Sequence, residues 1–252
     1  MGFLHEGHLS LMDVARAHAD IAVASIFVNP LQFGPGEDLA TYPRDEKRDL
    51  ELLRARGAAL VFVPPLEEMY SGGDPVVTVS PGLLGRRLCG AFRPGHFQGV
   101  LTVVAKLFGL FRPDVAVFGR KDFQQAALIR RMVTDLEMCV RVETAPIARE
   151  ADGLAMSSRN AYLSPEERAE APAIHQGLAE ALDRWCTGER RPDRLLGAVR
   201  DRIAGQSLME LQYAEAVDPH SLDSVNAAET GTVLAVAAYC GTTRLIDNVE
   251  LA

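Results

Sequence analysis

Apolar positions along the chain follow two rhythms, and the rhythm changes near residue 147. Leu11, Val14, Ala15 and His18 keep helical spacing, which predicts a helix over 8–19. IAVASIFV (21–28) is a continuous apolar, β-branched run, the pattern of a strand buried on both faces. A Pro/Gly-rich loop follows over 29–44, then a charged helix over 45–56 and a second buried strand over 59–64. VVTVS (76–80) predicts a short strand, 99–111 a helix, 114–119 a strand, 122–138 a helix and 140–146 a strand. Strands alternating with helices predict a parallel, doubly wound α/β sheet over 1–147.

Beyond residue 147 the pattern is that of a smaller α+β domain, 148–252. SPEE (164–167) carries a helix start, with Ser164 as N-cap, Pro165 in the first turn and Glu167 closing a capping box. Helices are predicted over 165–186 and 192–205. Alternating segments over 211–218, 232–240 and 243–251 predict strands, the last two joined by a tight turn near Gly241.

Composition narrows the classes. No apolar run reaches the roughly 18–20 residues of a membrane span, and no basic-then-apolar leader opens the chain. A net charge of −8 fits a cytoplasmic protein and lacks the basic face that nucleic acid requires. Cys89, Cys139, Cys186 and Cys240 are scattered, with no CxxC pair to frame a zinc site or a disulfide scaffold.

Ligands of open parallel sheets bind beyond the carboxyl ends of the strands. The polar residues there are Asn29 and Gln32 after one strand, and Gly119, Lys121, Asp122 and Gln125 after another. LHEGH (4–8) puts His5 and His8 three residues apart where a loop enters a helix. The pair can donate to phosphate beside the helix N-terminus, or simply cap the helix. HEGH lacks the spacing of a zinc-protease HExxH. In GRKD, Lys121 offers a point charge and Asp122 either holds Mg²⁺ or caps a helix. MSSRN (156–160) reads as a phosphate clamp or as a solvated linker. RPGHF (93–97) places Arg93 and His96 just before a helix, where a structural histidine is the commoner reading. No Walker A motif and no GxGxxG is present.

Taken in order, MGFLHEGH, SIFVNPLQF, YPRD, RPGHFQGV, FGRKDFQQ and MSSRN closely resemble the pantothenate synthetase (pantoate–β-alanine ligase) family over essentially the whole chain. LHEGH is similar to the HIGH signature of the nucleotidyltransferase superfamily, and MSSRN stands at its KMSKS-like loop. The resemblance implies a Rossmann-like ATP/pantoate-binding domain over 1–147 and a C-terminal domain over 148–252 that closes over the active site. It further implies ATP-dependent condensation of (R)-pantoate with β-alanine through pantoyl adenylate, with Mg²⁺ as cofactor and a homodimer as assembly. By motif, the catalytic residues are His8 (the proton donor), His5, Lys121 and Arg159. The implied ATP contacts are Met1, Gly2, Phe3, Leu4, His5, Glu6, Gly7 and His8, then Gly119, Arg120, Lys121 and Asp122, then Ala148, Met156, Ser157, Ser158 and Arg159. Gln32 and Gln125 hold pantoate, Asn29 and His96 are second-rank candidates for substrate or shell contacts, and 34–44 is a lid. Members usually carry about 25 more residues, so a missing N-terminal strand and an upstream start are expected, and some relatives have Glu where Cys89 stands. The alternatives are a nucleotidyltransferase acting on another small substrate, or an inactive nucleotide-binding remnant.

Overall fold

Helix α1, Glu6–His18, starts two residues before the predicted point because His5 caps it with its ring rather than joining it. The computed structural model describes residues 2–252, so Met1 and its expected ATP contact lie outside the described residues. Leu9 and Met12 of α1 pack with Leu4, Ala22, Ala24, Ile26 and Leu53 into one buried cluster. Strand β1 (Val23–Ser25) pairs in parallel with β2 (Leu60–Phe62), and helix α2 (Glu46–Ala55) lies between them in sequence. Short helices α3 (Leu66–Met69) and α4 (Cys89–Phe92) precede the long α5 (His96–Phe111). Strand β3 (Val115–Gly119), helix α6 (Phe123–Asp135) and strand β4 (Arg141–Ala145) complete a second parallel β-α-β unit. Helix α1 packs on β3 and β4.

Two expectations fail here. β1 and β2 are not buried on both faces: Ile21 is 71% and Leu60 50% exposed, while Ala22, Ala24 and Ile26 are buried. The run alternates in burial although every residue but Ser25 is apolar. Side-chain identity cannot reveal that only one face has a neighbour. VVTVS is not a strand either. Val76 and Val77 are exposed, and the segment is held instead by Val79 N–H donating to Thr102 Oγ1 and by Gln98 donating to Thr78 Oγ1, both from α5.

One compact unit comprises the chain up to Arg86 together with Gly90–Arg120 and Gln125–Pro146. The other comprises Arg87–Cys89, Lys121–Gln124 and Ile147–Ala252. In the second unit, Ser164 and Glu167 form the reciprocal capping box of α7 (Pro165–Glu170). The predicted single helix breaks at Pro172, giving a separate α8 (Ala173–Cys186), because proline cannot supply the N–H an unbroken helix needs. Helix α9 (Pro192–Ala204) crosses α8 at Gly177, where a Cβ would come within 2.7 Å of Val199 Cα. Both helices cover an antiparallel sheet of β5 (Met209–Val217), β6 (Val233–Cys240) and β7 (Thr243–Glu250) in that order. Gly241 turns β6 into β7 with φ +55°. Leu178, Trp185, Leu195, Val199, Leu234 and Val236 lie in this core. No described helix is long and apolar enough to cross a membrane.

Candidate active site

The start of α1 is built by hydrogen bonds that leave the two histidines in one tautomer. Gly7 N–H donates to His5 Nδ1 at 3.1 Å, and His5 N–H donates to His8 Nδ1 at 3.4 Å. A backbone N–H can only donate, so both Nδ1 atoms are acceptors and the neutral rings carry their proton on Nε2. The rings lie 4.0 Å apart between centroids. Two Nε2–H donors beside a helix N-terminus suit a polyanion.

The segment leading into α1 is strained and anchored. Phe3 has φ +50°, a left-handed conformation that costs a non-glycine residue about 1–3 kcal/mol unless its surroundings impose it. Asp49 of α2 imposes it: its carboxylate is 1% exposed and accepts from Phe3 N–H (2.6 Å) and Leu4 N–H (2.7 Å). Arg48 donates to Leu4 C=O at 2.9 Å, and its guanidinium lies 5.6 Å from the Phe3 ring centre. Sequence reasoning missed Asp49. The available signal was a carboxylate one turn before Leu53, on the buried face of an amphipathic helix.

Asn29 and Gln32 flank a single 3₁₀ turn, Pro30–Gln32, that rests on α5. Gly99 makes the approach possible, since a Cβ there would lie 2.1 Å from Leu31 O. Asn29 is 3% exposed and donates to Gly99 C=O (3.1 Å) and Gln32 Oε1 (3.0 Å). The backbone of Gln32 is gripped from the start of α5 and the turn before it: His96 Nδ1 sits 2.8 Å from Gln32 O, and Arg93 donates to the same oxygen at 3.2 Å. Arg93 Nη1 also lies 3.1 Å from His96 Nε2. Both ring nitrogens of His96 are thus engaged inside the protein, and His96 holds Gln32 in place. Arg93 also forms a two-pronged ion pair with Glu37 (2.8 and 2.6 Å), tying the 34–44 loop to this turn. Burial pushes the Glu37 carboxyl up, but Arg93 outweighs it and holds it below its usual range.

Gly119 ends β3 close to α1, where a Cβ would meet Leu11 at 4.0 Å, and Arg120–Asp122 form a 3₁₀ turn. Gln125, in the first turn of α6, is half-buried, and its side chain makes no hydrogen bond with the described residues. Lys121 belongs to the second unit, where buried Asn248 of β7 donates to its carbonyl at 3.1 Å.

The MSSRN segment is not a solvated linker. Ser157 caps a 3₁₀ helix, Ser158–Tyr162, accepting from Arg159 N–H at 3.3 Å, and Ser158 is buried. Met156 N–H donates to Ala148 C=O at 2.9 Å, which joins the two stretches expected to touch ATP in this unit. Between them the chain makes a small hairpin, bridged at Arg149 and Ala155 and turned at Gly153 with φ +93°. Arg149 pairs with buried Asp247 at 2.6 and 3.0 Å, Asn160 donates to Glu150 and Ala155 O, and Arg168 pairs with Glu150 and Asp152. Sequence reading gave no sign of this scaffold, whose partners are up to 98 positions apart.

Among the described residues, no three His, Cys, Asp or Glu side chains cluster as a preformed metal site. Mg²⁺ needs no such cluster when phosphate oxygens supply most of its ligands, so a single carboxylate such as half-buried Asp122 fits that role.

The family model for pantoate-beta-alanine ligase matches residues 1–250. Pantothenate synthetase from Geobacter sulfurreducens is 52% identical over 252 residues, covering 100% of this chain and 88% of the relative. That of Thermoanaerobacter sp. (strain X514) is 51% identical over 249 residues, covering 99% and 88%. The crystal structure of pantothenate synthetase from Thermus thermophilus superposes with a TM-score of 0.95 at 45% identity, covering 100% of this chain and 91% of that one. Pantoate-beta-alanine ligase from Francisella tularensis, solved in complex with beta-gamma ATP and β-alanine, gives 0.80 at 32% identity, covering 99% and 87%. With matches of this length and identity, the chain belongs to the pantoate-β-alanine ligase family.

Proposed function

We propose that this chain condenses pantoate with β-alanine at the expense of ATP, through pantoyl adenylate. A pantoate carboxylate oxygen attacks the α-phosphorus of ATP as the bond to the bridging oxygen breaks, and pyrophosphate leaves. The β-alanine amine then attacks the acyl carbon, AMP departs with the carboxylate oxygen, and the amine proton is lost to solvent. Such a reaction needs positioned donors more than a protein nucleophile. The observation that carries the reading is the pair of Nε2–H donors of His5 and His8 at the start of α1. His8 protonates the leaving pyrophosphate, while His5, Lys121, Ser157, Ser158 and Arg159 hold phosphate charge. Residues 2–8, Gly119–Asp122, Ala148 and Met156 line the ATP site. Gln32 and Gln125 hold pantoate, and the unspent Nε2 of Gln32 and the uncommitted amide of Gln125 support this. Asp122 would hold Mg²⁺, which when bound would neutralise phosphate charge. The ligands of the Francisella structure match two of the three substrates. A cytoplasmic homodimer without nucleic-acid or membrane partners completes the reading.

The test is pyrophosphate release from ATP with pantoate, first without and then with β-alanine. The reading expects a burst near one equivalent that becomes steady turnover once β-alanine is added, and loss of both in His8→Ala. Release independent of pantoate would point instead to a nucleotidyltransferase with another substrate.

A further inference from the structure

Gln32 reaches solvent with only one end of its amide unspent, and the reason lies behind it. Four polar contacts surround the Asn29 side chain: Leu31 N–H, Gly99 C=O, the Gln32 amide and the Tyr70 hydroxyl. Two of these are backbone groups with no choice of role. Leu31 N–H can only donate, so Asn29 Oδ1 faces it (3.3 Å); Gly99 C=O can only accept, so Asn29 Nδ2 faces it (3.1 Å). The orientation of the Asn29 amide is therefore fixed. Its second Nδ2 proton goes to Gln32 Oε1 at 3.0 Å, and its Oδ1 takes the Tyr70 hydroxyl proton at 2.9 Å. The bonds run one way, from Tyr70 to Asn29 to Gln32.

Gln32 Oε1 is consumed by this chain, so the group that Gln32 presents is its Nε2–H₂, a pure donor. We propose that Tyr70 is a positioning residue: its hydroxyl bond holds in place the Asn29 amide whose backbone contacts set the donor polarity of Gln32, so that the turn selects a substrate oxygen able to accept. The proposal rests on the reading that Gln32 contacts pantoate, a molecule of hydroxyls and a carboxylate.

The surroundings of Tyr70 keep it in the donor state. Its residue is 7% exposed, follows α3 and packs near Phe27 at 6.0 Å between ring centres. Burial, with Asp74 adding to it, pushes the phenol up to about 12, so it remains protonated at any working pH. The Lys106 ammonium of α5 lies 5.6 Å from the ring centre. Tyr70 is far from the motifs in sequence, 41 positions from Asn29, and reaches the turn through this hydroxyl bond.

The experiment measures KM for pantoate, KM for ATP and kcat in Tyr70→Phe and in Gln32→Ala, with Tm recorded for each. Tyr70→Phe removes one oxygen and leaves the ring packing. Its pantoate KM should rise about three- to tenfold, the range set by one neutral hydrogen bond, with the ATP KM within about twofold. Gln32→Ala should raise the pantoate KM by more. A raised pantoate KM in Gln32→Ala but not in Tyr70→Phe overturns the relay and leaves the clamp standing. An unchanged pantoate KM in Gln32→Ala overturns the clamp reading itself, and the relay with it. Parallel rises in both KM values with a lowered Tm would mean Tyr70 serves only packing. Should Tyr70→Phe fail to fold, 3,5-difluorotyrosine placed at position 70 keeps the hydroxyl while its fluorines acidify it. The pantoate KM should then climb with pH as the donor proton is lost, a dependence absent from the native protein. A flat profile overturns the proposal.

Discussion

Asp49→Asn separates the anchor of the α1 entry from everything else nearby. The carboxylate of Asp49 accepts from Phe3 and Leu4 N–H, and Leu4 is itself buried. Asparagine preserves shape but keeps a single acceptor oxygen, and its amide nitrogen must face one of the two N–H groups. A hydrogen bond to a buried charge contributes about 1.5–3 kcal/mol, and its loss leaves an N–H unpaired. The left-handed Phe3 adds about 1–3 kcal/mol of strain that this anchor helps to offset. Part of that strain relaxes when the anchor goes, so the net cost is about 2–4 kcal/mol. For a chain of this length that lowers Tm by about 4–16 °C, at roughly 2–4 °C per kcal/mol. The same change loosens the His5 cap, because residues 3 and 4 lead directly into it, so KM for ATP should rise while KM for β-alanine stays put. Thermal unfolding and steady-state kinetics on Asp49→Asn and Asp49→Ala check this. A Tm within about 1 °C of the native value, with an unchanged KM for ATP, would refute the anchoring argument.

Glu37→Gln removes the charge that latches the 34–44 loop to Arg93, so limited proteolysis should cut that loop faster and the pantoate KM should rise a few-fold; unaltered cleavage would show that the ion pair holds nothing. Gln125→Ala should raise KM for pantoate more than for ATP, since no described residue uses its amide, and equal effects would misplace the pantoate site. His175 supplies a pH prediction: burial, then the Arg149 charge, lower its folded pKa below 6.5, with Asp247 and Asp152 partly opposing. Below pH 6.5 the unfolded chain therefore takes up a proton that the folded chain refuses. Its contribution to stability is complete above pH 6.5 and is lost as pH falls toward the folded pKa. Tm should drop between pH 7.5 and 5.5 in the native protein and drop less in His175→Gln; equal drops would contradict the shift.

How far the sequence exposed these features depends on how local each one is. The start of α7 was legible because Ser164 and Glu167 satisfy each other within one turn. Likewise β3 and β4 followed from the residue pattern nearly to the residue, and α6 did so except that it ends at Asp135 rather than at 138. The burial of β1 and β2 was not legible, since Val23 and Leu60 are as apolar as Ala24 and differ only in what lies opposite. VVTVS has the composition of a strand, but pairing needs a partner strand, and side chains of α5 took its polar groups instead. At the site, local motifs announced His5, His8, Asn29, Gln32 and the MSSRN segment. The residues that hold them did not: Asp49 acts on Phe3 across 46 positions and Tyr70 on Asn29 across 41, while the motif that named Arg93 gave no hint of its partner Glu37, 56 positions away. A supporting side chain has the same identity whether or not it supports anything, so spacing alone could not find these.

The adenylate route is tested most directly by following one oxygen atom. Pantoate labelled with ¹⁸O in its carboxylate is turned over with ATP and β-alanine, and the phosphorus products are analysed by mass spectrometry. Attack of the carboxylate on the α-phosphorus predicts one labelled oxygen in AMP and none in pyrophosphate. Label in orthophosphate, with ADP as the nucleotide product, or unlabelled AMP, would contradict the account.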